Sequence, residues 1–280
     1  MINKYRIKRI AIKFFIKFKV FINPPKLIEK YNFDYARNYW QNIPKAKGSN
    51  PWNSKLLELI SDEELLIQFE SEQKIARQKK EREMGFALAI NSISSIKNAM
   101  VMDYGSGMGF YGFEVLDKLK DAEVTFVDIS EVNLRIIKRI ASLKGYTKRV
   151  KTQAVIDQMA ENLHFKEKFD LICSMGVLHH TPYAKEIVKN LTGFLRTGGI
   201  FEVMLYNDHY KKRLSVKKGH RLSLTEFGEL TDPTCDGLKN SFSESYNDKK
   251  TMKLFGRKYK LISKDFPTTD YNMYRFRKVE

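Results

Sequence analysis

Apolar and polar positions follow two different periods along this chain, and the change of period marks out its parts. From residue 99 onward short apolar runs recur: "AMVMDYG" (99–105), "EVTFVDI" (123–129), a weaker run at 150–156, "FDLICSM" (169–175) and "IFEVMLY" (200–206). Runs of this length, rich in β-branched and aromatic residues and bounded by Gly or Asp, read as buried strands. Between them the period is helical. Ile136, Ile137 and Ile140 share one face of a segment opened by Ser130 and closed by Gly145, which predicts a helix N-capped by the serine. Further helices are expected across the glycines that follow residue 104 to about 120, and from about 182 to 196. Strands alternating with helices of this length make βαβ units, hence an α/β protein with a mostly parallel sheet covered on both faces.

Either end departs from this alternation. Residues 207–256 are polar and charged, and a structureless loop of that length is rare in a compact domain. A lid with some helix, inserted over the site between strands five and six, is therefore expected there. Two strand-like runs, "RKYKLISKDF" and "DYNMYRFRKV", close the chain. Upstream, Ser61-x-x-Glu64 is a capping box that opens a helix to about residue 82, and "GFALAINSISSIK" is a second helical stretch. Residues 26–54 are aromatic and irregular, with Tyr39 and Trp40 as candidates to meet a substrate.

In the first 22 residues Ile7, Ile10, Ala11, Phe14, Phe18 and Phe21 form a helical stripe, with Arg6, Arg9, Lys13 and Lys17 largely opposite. Lys13, Lys17 and Lys19 break every apolar run, so neither a signal-peptide core nor a bilayer span is present. Seven basic and no acidic residues there suit a helix lying on an anionic membrane surface. A helix packed on the protein's own body, its lysines in water, fits the same pattern. The expected organisation is a helical extension or cap over 1–94 and one α/β domain over 95–280.

Composition narrows the partners more than the fold. The 280 residues are 42% hydrophobic and 12% aromatic, enough for a packed core. A formal charge of +17 favours an acidic partner such as nucleic acid, an anionic membrane surface or a phosphorylated carrier, unless it reflects a lysine-rich composition alone. The two cysteines, Cys173 and Cys235, make neither a disulfide framework nor a zinc spacing, and suit a reducing, cytoplasmic setting.

The densest chemical signal is the turn "DYGSGMGFYG". Phosphate-loop binding is excluded, because no Lys-Ser or Lys-Thr follows the glycines. Gly107, Gly109 and Gly112 spell G-x-G-x-x-G after a strand, and Asp128 stands about 20 residues on, where a ribose-binding acid belongs. The turn alone fits NAD or S-adenosylmethionine, since both ligands need close backbone approach and an acceptor for ribose hydroxyls. Three further features decide between them: Asp103, whose carboxylate would repel a pyrophosphate and attract an ammonium; "SMGVLHHTP" at the end of strand four; and "LRTGGIF" before strand five.

Together these stations resemble the class I S-adenosylmethionine-dependent methyltransferases over residues 95–206. "VMDYGSGMG" is similar to the family's D-x-G-x-G-x-G, "FVDIS" to its second motif, "AENLHF" and "FDLICSMGVLHHTP" to its third and fourth, and "LRTGGIF" to L-K-P-G-G. The resemblance implies a seven-stranded Rossmann-like sheet whose last strand is antiparallel. It also implies S-adenosylmethionine across the carboxyl ends of strands one to four, leaving as S-adenosylhomocysteine. Carried over, Gly105, Ser106, Gly107 and Gly109 would let the backbone approach the methionine part, and Asp103 would bind its ammonium directly or through water. Asp128 would accept the ribose hydroxyls, Ile129 would pack on adenine, Ala160 and Glu161 would flank its edge, and Ser174, Met175 and Val177 would line the methyl-transfer side. Met159 stands where the family often has an aspartate for the adenine amino group, with Asp157 nearby but out of register.

Methyl transfer needs alignment, exclusion of water and sometimes a base, but no metal. For a hydroxyl acceptor His180 is the first candidate base and Tyr206 the second. Strand four ends without the D/N-P-P-Y/F run of adenine N6 methyltransferases. The lid segment resembles a D-G-x-x-N-P…Y-S…E…L-F pattern of small-molecule and sugar methyltransferases through Asp236, Asn240 and Tyr246, with Ser241 in place of the proline. The expected protein is thus an O-methyltransferase of a sugar or small molecule, with a surface glycan or lipid-linked intermediate as one form of acceptor. It would be cytoplasmic and held peripherally at the inner membrane face by residues 1–22. RNA or a quinone-type lipid as acceptor, and an inactive membrane- or RNA-binding module on the same fold, stand as alternatives.

Overall fold

The computed structural model describes residues 31–42, 60–78, 89–231, 239–265 and 269–280. The basic segment 1–22 and Asp236 lie outside the described residues, so the readings placed on them have no structural counterpart. Two helices precede the sheet: α1 (Phe33–Gln41) and α2 (Asp62–Gln78). The capping box is formed as expected, for Ser61 N–H donates to Glu64 Oε2 at 3.0 Å and Glu64 N–H donates to Ser61 Oγ at 3.2 Å. A short helical segment at 89–93 leads into the first strand.

From residue 100 the expected alternation is present. β1 (Met100–Tyr104), α3 (Phe110–Lys118), β2 (Glu123–Asp128), α4 (Glu131–Leu143) and β3 (Val150–Ala154) form one half. β4 (Phe169–Met175), α5 (Ala184–Thr192) and β5 (Leu195–Tyr206) begin the other, and β6 (Tyr259–Asp265) with β7 (Tyr271–Lys278) complete it. The seven strands lie in the order β3-β2-β1-β4-β5-β7-β6, with β7 antiparallel to both of its neighbours. This is the α/β, Rossmann-like sheet expected from the sequence. β5 starts earlier than the apolar run suggested: Leu195 already pairs with Phe169, and a register shift accommodates the Gly198-Gly199 turn within the strand.

The 207–256 insertion carries helices α6 (Asp208–Lys218), α7 (Leu224–Thr231) and α8 (Asp248–Phe255). Among the described residues no helix is long and apolar enough to cross a membrane.

Alternation along the strands feeds two cores. Val101, Leu171, Cys173 and Ile200 face one side, where α2, α3 and α4 pack, while Met102, Tyr104, Ile172 and Val203 face the other, with α5 and α8. Gly112 lets α3 settle on β2, since a Cβ there would stand 2.2 Å from Phe126 Cε1.

One row of polar residues crosses the first core. Asp103 of β1 is in register with Cys173 of β4, Cys173 with Glu202 of β5, Glu202 with Arg275 of β7, and Arg275 with Ser263 of β6. Register partners in neighbouring strands share a face, so the row is continuous. Tyr111 of α3 donates to Glu202 Oε2 at 2.6 Å, and Arg275 donates to Glu202, to Ser263 Oγ and to Asp265. Glu202 and Arg275 are 0% and 4% exposed, so this ion pair is a buried one. Burial pushes the Glu202 carboxyl up to about 7, against the opposing pull of Arg275 and Tyr111. Removing one partner of such a pair leaves an uncompensated buried charge, which costs about 3–5 kcal/mol. Arg275→Met is therefore expected to lower unfolding stability by that amount in urea titrations at neutral pH. A loss below about 1 kcal/mol, the range of a surface pair, would contradict the assignment.

Candidate functional site

The carboxyl ends of β1 and β2 meet at the glycine turn, and the backbone there is bent in a way that few side chains allow. Gly105, Gly107 and Gly109 all have positive φ (72°, 52° and 79°), the left-handed region that glycine enters at little cost. A Cβ on Gly105 would stand 2.2 Å from Val177 Cγ2, whereas Gly107 has nothing within 4 Å and so keeps its backbone open. The turn is pinned from β2, because Gly105 and Ser106 N–H both donate to Val127 C=O at 2.7 and 3.1 Å.

Asp128 closes the arrangement. Its Oδ2 accepts from Gly107 N–H at 2.7 Å, and its Oδ1 accepts from Ser130 N–H at 2.7 Å and from Asn133 Nδ2 at 3.3 Å. The Ile129 N–H is a fourth donor to this carboxylate, so its roughly four lone-pair sites are shared among protein donors. Burial raises the Asp128 carboxyl to about 6 in spite of the donors from Ser130, Gly107 and Asn133.

A cavity opens beside this turn. It is lined by Gly105, Asp128, Ile129 and Val155, by Val177, His180 and Thr181, and by Tyr31, Phe33 and Trp40 from in and around α1. Tyr104, Asp157, Gln158 and Ile187 complete the lining. Sequence reasoning singled out Trp40 and missed Tyr31 and Phe33. The seven-residue spacing of Phe33 and Trp40, two helical turns, was the available signal. Tyr39, one residue off that face, is 1% exposed and packs edge-on against Trp40 at 5.0 Å.

Several expected site residues lie elsewhere. Asp103 sits behind the turn, outside the cavity lining; its Oδ2 accepts from Gly112 N–H at 3.1 Å and Cys173 Sγ stands 3.5 Å from Oδ1. It thereby satisfies an N–H in the first turn of α3. Asp157 accepts the N–H groups of Met159, Glu161 and Asn162 and so folds the 157–162 turn. That turn leaves Ala160 buried at φ 60° and Glu161 exposed, with neither on the cavity. Met175 packs against the first core. Tyr206 is 3% exposed in an aromatic cluster with Tyr210, Phe227 and Tyr271, and its backbone N–H donates to His179 Nδ1 at 3.3 Å. Packing, not the cavity, holds the Tyr206 ring. Tyr246 lines a separate cavity with Asn207, Asp208 and Asn272 at the β5–β7 end of the sheet. Asn240, 3% exposed, reaches His180 from the insertion, its Nδ2 2.9 Å from His180 Nδ1.

Two buried hydroxyls beside the turn, Ser106 Oγ and Ser174 Oγ, have no hydrogen-bond partner. Unpaired buried polar atoms are costly, and here they accompany an open glycine backbone and the Asp128 carboxylate on the cavity lining. The residues present thus fit a ligand carrying hydroxyl, carboxylate or ammonium groups. Among the described residues no group of three or more His, Cys, Asp or Glu gathers as a metal site.

Residues 102–201, from β1 into β5, match the family model described as a methyltransferase domain. The chain is also similar to the structure of a 1,6-didemethyltoxoflavin N1-methyltransferase from Burkholderia thailandensis, with 1,6-didemethyltoxoflavin and S-adenosylhomocysteine bound. That match has 16% identity, 84% of this chain and 93% of that one covered, and a TM-score of 0.51. The N-methyltransferase NodS from Bradyrhizobium japonicum, in complex with S-adenosylhomocysteine, aligns at 13% identity over 77% of this chain and 99% of that one, with a TM-score of 0.49.

Burial raises Asp103 to about 7, aided by the Asp128 charge and opposed by Gly112 N–H and Cys173, so both carboxyls at the turn hold protons more tightly than in an unfolded chain. A folded pKa above the unfolded one makes folding take up protons, so these groups stabilise the fold below about pH 4 and that contribution is lost as pH rises through 6–7. Asp103→Asn is expected to flatten the fall in unfolding free energy between pH 4 and 7 in denaturant titrations. A profile as steep as that of the wild type would contradict this.

Proposed function

We propose that the protein, whose residues 102–201 match a family model described as a methyltransferase domain, takes S-adenosylmethionine as methyl donor and a small molecule as acceptor. The observation that carries the donor is the pairing of an open glycine backbone at Gly107 with the Asp128 carboxylate, which grips that backbone and lines the cavity beside it. Ile129 and Val155 give the apolar walls that an adenine ring needs, and Ser106 and Ser174 give unpaired hydroxyls for the methionine part. When bound, S-adenosylmethionine supplies an electrophilic methyl group: the acceptor's lone pair makes the new bond while the C–S pair stays on sulfur. The chain's own part is to bind, align and keep water out. Tyr31, Phe33 and Trp40 supply that exclusion, which supports reading residues 1–94 as a cap on a domain at 95–280.

The same cavity narrows the acceptor. Among the described residues its lining holds the carboxylates of Asp128 and Asp157 and no Lys or Arg, although the chain as a whole is strongly basic. Anionic acceptors, RNA and phosphorylated carriers among them, find no counter-charge there. Of the residues that suggested a sugar acceptor, Asn240 reaches His180 on this cavity and Tyr246 lines another. A small, largely apolar acceptor suits the four aromatic rings in the lining.

Calorimetric titration with S-adenosylmethionine tests the donor. The wild type is expected to bind, and Asp128→Ala to bind about 10- to 100-fold more weakly, as loss of a hydrogen bond to a charged group implies, with its circular dichroism unchanged. An absence of binding to the wild type, or equal binding to the variant, would overturn the proposal.

A further inference from the structure

His180 lines the cavity, with Trp40 at 4.9 Å on one side and the buried His179 ring at 4.2 Å on another. Its Nδ1 is turned to the insertion, 2.9 Å from Ser243 Oγ and 2.9 Å from Asn240 Nδ2. The orientation of the Asn240 amide is set by a third group: its Oδ1 accepts Phe242 N–H at 3.2 Å, which leaves Nδ2 to face the imidazole and Ser243 Oγ at 3.2 Å. An amide nitrogen only donates. Nδ1 must then be the acceptor, and a neutral ring with a bare Nδ1 carries its proton on Nε2.

We propose that Asn240 and Ser243 hold His180 as the Nε2–H tautomer, so that His180 offers the acceptor a hydrogen bond instead of removing its proton, and that the acceptor is a nitrogen base bringing its own lone pair. The second half rests on the methyltransferase reading; the first does not. A histidine that serves as base at Nε2 has the opposite arrangement, with Nδ1–H donated to a carboxylate. Here an amide N–H stands in the carboxylate's place, and Asn240 is a positioning residue.

The other titratable groups of the cavity agree. The carboxylates of Asp128 and Asp157 are occupied by backbone N–H groups. Burial pushes Tyr31 up to about 12 and Tyr104 higher still. Among the described residues the cavity therefore holds no group poised to deprotonate an alcohol at neutral pH. A ring nitrogen or neutral amine needs no such help, and any proton on the methylated nitrogen passes to water afterwards. The two carboxylates and several aromatic faces that the described residues bring to the lining, with no Lys or Arg among them, also suit a nitrogen base better than an anion.

Nitrogen-15 NMR of histidine-labelled protein reads the tautomer directly, with His180→Gln identifying the signal among the five histidines. The wild type is expected to show a protonated Nε2 and a bare Nδ1 for His180, and Asn240→Asp to move the proton to Nδ1. A wild-type proton on Nδ1 would overturn the proposal without recourse to any variant. Pyridine and phenol, similar in shape but accepting and donating respectively, test the acceptor on protein loaded with S-adenosylhomocysteine. The ratio of pyridine to phenol affinity is expected to fall about tenfold in Asn240→Asp, and an unchanged ratio would overturn the nitrogen-base assignment. Should Asn240→Asp not fold, the nitrogen-15 shift of bound pyridine in the wild type decides the same question: an upfield shift means that it accepts a hydrogen bond, and an unmoved signal overturns the assignment. Failure of S-adenosylmethionine to bind would instead end the methyltransferase reading and leave the tautomer result standing.

Discussion

The carboxylate of Asp128 is the tie on which the site depends. It stands at the end of β2, yet it binds the backbone of the turn after β1 and the first N–H of the segment that opens α4. Three glycines at positive φ would otherwise leave that turn with little to choose one conformation. The same interaction buries a negative charge, and burial raises the group's pKa. The geometry that holds the turn thus also sets a buried carboxylate on the lining of the cavity.

Behind this tie the polar row from Asp103 to Ser263 links the turn to the far edge of the sheet. Asp103 caps α3, Tyr111 of the same helix reaches Glu202, and Arg275 carries the charge balance to Asp265 near solvent. The helix that begins at Gly109 is thus fixed at its first turn to β1 and to β5 at once. Side chains in front of the sheet are positioned differently: α1 lines the cavity through Phe33 and Trp40, and the insertion supplies Asn240 and Ser243.

Much of this architecture was legible in the sequence because it rests on local rules. The strand runs, the Ser130 cap, the Ser61–Glu64 box and the antiparallel closing strand appear where periodicity, capping chemistry and the methyltransferase resemblance put them. Asp128, Gly105, Ile129, Val177, Trp40 and His180 meet at one cavity, since each occupies a strand end, a loop at that end or a helix laid over it. Other site residues lie away from that cavity, where side-chain direction, which residue type does not give, decides. Tyr206, the last residue of its apolar run, turns into an aromatic cluster, and Asp103 turns to the helix behind it. The tautomer of His180 could not be read at all, because Phe242, Asn240 and Ser243 reach it across some 60 residues of chain and fix a proton by the orientation of one amide.

One turn, bound by Asp128 and beside the cavity that α1 lines, is the place where the methyl donor is expected. Diffraction from crystals grown with S-adenosylhomocysteine tests this most directly. The predicted density has the ribose on Asp128, the adenine between Ile129 and Val155, and the homocysteine over Gly105–Gly109 beneath Trp40. Density confined to the Tyr246 cavity, or none at the turn in a saturated crystal, would contradict it.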